Sequence, residues 1–145
     1  MKITTAYMGE VEINQSQIIK FEHGLPGFEE EKEFIQLPLS EESAFQVLQS
    51  VRTTDLAFII TSPYTILTDY SFELDESAIQ ALDIKSDKEV AVFVIVSLKD
   101  TLENSTVNLK APIVLNIENQ KAKQIILDED YAIRHQLTAE KKKEV

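Results

Sequence analysis

Residues 89–98 read EVAVFVIVSL, and this run constrains the fold more than any other part of the chain. A half-buried strand alternates apolar with polar residues, because successive side chains point to opposite faces. Here both alternations are apolar, so both faces need cover, and the segment is expected as a central strand. It is far shorter than the roughly 20 residues that span a bilayer. With 145 residues and 43 % hydrophobic content, the chain has the length for one domain and the material for a core.

The rest reads as short strands. Lys2–Tyr7 and Val11–Ile13 flank Gly9 as an opening hairpin. Further strands are expected over 17–21, 33–37, 45–51 and 56–61, rich in aromatic and β-branched residues. After the central strand come STVNL, PIVLNI and AKQIIL, the last two joined by ENQK, where Asn119 suits a left-handed turn position. One helix is signalled over 76–82: Asp75 is a good N-cap, Glu76 favours the positive helix end, and Leu74 can staple onto Ile79. Helical turns are also expected near Glu29 and over 130–136. The fold class that follows is mainly β, a small closed or nearly closed antiparallel barrel with one short helix. The domain covers 1–137; residues 138–145, TAEKKKEV, lack an apolar face and are expected as a disordered charged tail.

Charge and chemistry exclude several functions. Fourteen Lys and Arg against 25 Asp and Glu give a net charge of -11, which repels phosphate backbones and speeds encounter with basic partners. No nucleic-acid binding or membrane binding is expected. The acidic, alternating N-terminus is unlike a signal peptide, so a cytoplasmic protein, monomeric when free, is expected. Cysteine is absent, which removes disulfides and thiolate chemistry. His23 and His135 sit in no metal-ligand spacing, and the acidic run at 128–130 lacks the spacing of a calcium loop. No phosphate-binding loop, nucleophile elbow or dinucleotide motif occurs, so neither catalytic residues, cofactor nor metal is expected. The alternatives kept are a small acidic β-barrel hydrolase or ligand-binding domain, and an oligonucleotide-binding barrel.

Two stretches are over-specified for a plain barrel. HGLPGFEE (23–30) holds two of the three glycines around Pro26, a composition for a sharp rigid turn that presents Phe28 and the acids Glu29, Glu30 and Glu31. In VNLKAPIVLNI, Pro112 requires an edge, a bulge or a strand start. Asn108 and Lys110 flank Leu109 and share a face by alternation; that face is exposed, or Asn108 satisfies backbone groups at a bend.

These same segments carry a resemblance. F-x-x-GLPGFE (21–29), LQS (48–50), FIITSP (58–63), VNLKAPIVLN (107–116) and YAIRHQL (131–137) occur in that order, and together they resemble the FliW family of flagellar assembly factors. The likeness spans nearly the whole chain. It implies a β-barrel-like, non-enzymatic cytoplasmic protein of flagellated bacteria that binds flagellin and the RNA-binding translational regulator CsrA. By antagonising CsrA, such a protein couples flagellin translation to export. For CsrA, whose RNA-holding surface must be basic, the acids Asp69, Glu73, Asp75 and Glu76 with Glu29–Glu31 are the candidates, and Tyr70 and Phe72 would be aromatic anchors. For flagellin, Asn108, Lys110, Pro112, Arg134 and His135 are the candidates.

Overall fold

In the computed structural model, the described residues, 1–39 and 44–137, form eleven strands and one α-helix. In chain order these are β1 (Lys2–Thr5), β2 (Gly9–Glu12), β3 (Ile19–Phe21), β4 (Glu33–Pro38), β5 (Gln46–Ser50), β6 (Ala57–Thr61), α1 (Glu76–Ala81), β7 (Val90–Ser97), β8 (Thr106–Val107), β9 (Ile113–Asn116), β10 (Lys121–Gln124) and β11 (His135–Gln136). Pairing runs β7-β6-β5-β4-β3-β10-β9, and β9 returns to β7, which closes a seven-stranded barrel. Closure removes the free edges that an open sheet of this size would expose. One junction departs from the antiparallel expectation: β10 pairs parallel to β3, with Lys121 opposite Lys20.

Strand β7 shows why both of its faces are apolar. Ala91, Phe93 and Ile95 pack into the barrel interior against Phe21, Phe34, Leu48, Ile60, Ile113 and Leu115. Val92, Val94 and Val96 point the other way into a second core on the outside of the wall. The neighbouring strands divide likewise, with Leu48 and Ile60 inside and Val47 and Ile59 outside. The outer core is covered by the long β6–β7 connection, through Ile66 and Tyr70, and by Leu109 and Leu127 from later in the chain. A third cluster, Ile3, Ile13, Ile18 and Ile35, seats the β1–β2 hairpin on the outer side of β4. At about 1.5–3 kcal/mol per fully buried large aliphatic side chain, these outer shells are integral to stability.

Local signals acted where expected at α1 and the opening hairpin. Asp75 Oδ1 accepts from Ala78 N at 2.8 Å, and Gly9 turns the first hairpin at φ 68°. Three expectations are corrected. No helix forms near Glu29, where the chain makes tight turns instead. Residues 130–136 are not helical either, because His135 and Gln136 pair with Val107 and Thr106. In the ENQK turn the left-handed residue is Gln120, φ 62°, while Asn119 uses its side chain to accept from Lys121 N. The expected tail, 138–145, lies outside the described residues. No described helix is long and apolar enough to cross a membrane.

Candidate partner-binding surface

The β6–β7 connection leaves the wall at Ser62, whose Oγ accepts from Tyr64 N at the start of a 3-10 turn over Pro63–Thr65. It then drops Tyr70 into the outer core, 3 % exposed, where its hydroxyl donates to Leu109 O at 2.7 Å. Burial, with the phenols of Tyr131 and Tyr64 and then Glu129 nearby, pushes the Tyr70 phenol well above its ordinary value, so it stays a proton donor. Three rings surround it: Tyr131 at 4.6 Å between centroids, Phe72 at 5.7 Å and Tyr64 at 5.9 Å. Tyr131 ties the cluster to the connection, since its hydroxyl donates to Ser71 O and accepts from Ser71 N.

Beside this cluster lies a groove of about 660 Å3, lined by Tyr64, Tyr70 and Phe72 and by Leu74, Ile79 and Ile84. Glu73, Asp87 and Lys85 are its charged lining. A smaller cleft follows, where Glu73 and Asp75 meet Asp128 and Glu129; the Glu129 carboxylate accepts from Glu73 N at 3.4 Å. The fold therefore adds Asp128 and Glu129 to the acidic stretch 69–76, although more than 50 residues separate them in sequence. An apolar groove rimmed by carboxylates suits a basic partner that offers an apolar side chain, because the anchor is desolvated while the rim steers encounter.

The other candidates fall elsewhere. In HGLPGFEE, Leu25 and Phe28 exchange backbone hydrogen bonds around Pro26 and Gly27, and Gly27 at φ 86° takes the position of a type II turn that needs positive φ. Gly24, φ 68°, is needed for a different reason: a Cβ there would meet Phe28 O at 2.5 Å. Phe28 is 41 % exposed and lies edge-on against Phe58. Glu29 and Glu30 are exposed, whereas Glu31 clamps the loop to β5 by accepting from Ser50 Oγ at 2.7 Å and Thr53 Oγ1 at 2.6 Å. Those two hydroxyls, Thr53 first, hold its carboxyl below the ordinary range. No residue of this loop lines the aromatic groove.

Between β8 and β9 the chain bends, since both strands pair with β7. Asn108 Oδ1 accepts from Lys110 N and Ala111 N, and Lys110 Nζ donates to Glu129 O at 2.8 Å. Pro112 is buried at the start of β9. Of the two readings left open for Asn108, the bend is the one the fold adopts. Asp75 is likewise engaged as a helix cap, and Tyr70 forms a floor beneath Phe72. Asp69, Glu73, Glu76 and Arg134 are exposed, and His135 sits half-buried in β11. Sequence reasoning passed over Tyr64, Tyr131 and Glu129. Tyr131 carried a signal only as part of YAIRHQL; its partnership with Ser71 exists only in three dimensions.

Comparison with known proteins agrees with this architecture. The sequence model of the family described as "FliW protein" matches residues 2–137. A "Flagellar assembly factor FliW" of Oceanobacillus iheyensis is 51 % identical over 130 residues, which is 90 % of this chain and 88 % of that protein. The Bacillus subtilis protein of the same name is 47 % identical over 141 residues, 97 % of this chain and 99 % of the relative. A crystal structure of the flagellar assembly factor FliW superposes with a TM-score of 0.88 at 39 % identity, covering 94 % of this chain and 96 % of the other.

Proposed function

The chain belongs to the FliW family, and on that premise we propose that it is a non-enzymatic cytoplasmic binding protein that antagonises CsrA and holds flagellin. The observation that carries this reading is the aromatic-floored groove with its carboxylate rim, in a protein of net charge -11. A translational regulator that grips RNA must be basic where it holds phosphate. Such a partner is drawn to this surface, and a docked negative charge then repels incoming RNA within about 8 Å at physiological salt. Phe72 supplies the apolar contact, and Asp69, Glu73 and Glu76 supply the steering field. Flagellin is assigned to the outermost strand β11, which contains His135 and follows Arg134, beside Ile133 at 63 % exposure. Flagellin held in the cytoplasm then leaves CsrA free to repress flagellin translation; export of flagellin returns this protein to CsrA and lifts the repression.

Calorimetric titration with purified CsrA, alone and after saturation with flagellin, tests the reading. Tight binding that flagellin abolishes, and that weakens steeply as salt rises, is the expected result. Binding to flagellin alone removes the regulatory half. Replacing Phe72 by Ala with no loss of CsrA affinity removes the groove.

A further inference from the structure

On this acidic chain, the outer side of the β3–β10 seam is cationic. Ile19, Phe21 and Ala122 point inward, so the alternation turns Lys20, Lys121 and Lys123 outward, and the parallel register sets Lys121 opposite Lys20. With Lys32 and His23 they line a cleft of about 460 Å3. Its apolar side is Ala81, exposed at the end of α1, with the buried Leu82 that follows it. Two carboxylates, Glu22 and Glu33, share the lining. Four lysines converge here from a total of 14 Lys and Arg, three of which lie in the run at 141–143. None of the four makes an ion pair among the described residues, where the single ion pair joins the Met1 amine to Glu12.

Like charges placed directly opposite in a sheet destabilise it. Glu33 of β4 stands opposite Lys20 on its other side, whereas Lys121 faces Asn116 there, so the Lys20–Lys121 repulsion is only partly offset within the sheet and an anion relieves the rest. The neighbouring apolar wall favours an anion that also carries a hydrophobic group. We propose that this cleft binds an acidic peptide segment of a partner protein, with carboxylates on Lys20, Lys121 and Lys123 and an apolar side chain against Ala81 and Leu82. A polynucleotide fits less well, because its phosphates continue past the cleft across a surface of strongly negative net charge. The site is distinct from the aromatic groove and opposite in charge. Helix α1 is the wall between them, with Ile79 facing the groove and Ala81 and Leu82 facing the cleft.

The test is fluorescence anisotropy with a labelled octapeptide of alternating Glu and Leu, beside matched peptides carrying Gln for Glu or Ser for Leu. Saturable binding is expected for the first peptide and a large loss for both controls. The double variant Lys121→Glu, Lys123→Glu should bind about tenfold more weakly at physiological salt, and Lys121→Gln should fall between it and the parent. Amide shifts on titration should centre on 20–24, 32–33, 81–82 and 121–123. Absence of saturable binding, equal affinity in the charge-reversed protein, or tighter binding of oligouridylate to the same amides overturns the proposal. Affinity for CsrA should be unchanged in these variants, so failure here and failure of the CsrA reading are separately visible.

Discussion

Replacing Tyr70 by Phe removes one oxygen and keeps the ring that floors the groove. The hydroxyl donates to Leu109 O at 2.7 Å, and it is the donor the structure gives that carbonyl among the described residues. Loss of a typical hydrogen bond costs about 1 kcal/mol, and the stranded buried carbonyl adds to it, so the expected destabilisation is about 1–2 kcal/mol. For a domain of this size that corresponds to a fall in Tm of roughly 3–8 °C. Tyr131→Phe is the control: its hydroxyl serves the exposed Ser71, water replaces it, and the cost should stay within about 0.5 kcal/mol. pH separates the two further. The folded-state phenol of Tyr70 is raised above its unfolded value, near 10 for tyrosine, so only the unfolded chain ionises it as pH climbs past about 10. The stabilisation from the neutral phenol is therefore present below that pH and declines above it. Urea melts of both proteins at pH 7 and pH 10.5 should show a gap at neutral pH that narrows in alkali. Equal stability at pH 7, or a gap that ignores pH, refutes the assignment of a buried, donating hydroxyl.

The glycine loop gives a paired test. Gly24→Ala combines φ 68° with a Cβ about to meet Phe28 O at 2.5 Å and Glu29 O at 2.6 Å, so a cost of roughly 3 kcal/mol or more is expected. Gly27→Ala meets nothing within 4 Å and should cost only about 1–2 kcal/mol for its positive φ; thermal melts that rank the two equally remove the steric argument. For Glu31→Gln the sign is that of a depressed carboxyl. Its contribution is present above the ordinary value of 4.5 and disappears as pH falls through the lower folded value, so the variant should lose Tm at pH 7 and the difference should shrink as pH falls below 4.5. A constant difference across that range would show that the Ser50 and Thr53 contacts do not discriminate the ionised form.

Why some features were legible in the sequence and others were not follows from the range of the interactions. The double-faced strand β7, the capped helix at Asp75 and the hairpin at Gly9 rest on neighbours a few residues apart. The helix expected over 130–136 failed because local propensity was outweighed by pairing of His135 with Val107, a contact 28 residues away. The parallel β3–β10 junction joins residues about 100 apart and leaves no periodic trace. Of the candidate residues, Tyr70, Phe72 and Glu73 came to line the groove, while Asn108 and Glu31 hold the backbone together.

From the sequence alone came the mainly β architecture, the acidic field and the family likeness, because composition, alternation and motif order survive without coordinates. Only the tertiary structure decided where charge and apolar surface coincide. It sank Tyr70 beneath Phe72, brought Glu129 to Glu73, and gathered Lys20, Lys32, Lys121 and Lys123 into one cleft on an acidic protein. Closing the barrel is the physical reason. It forces strands distant along the chain into register, and that register chooses which side chains share a surface.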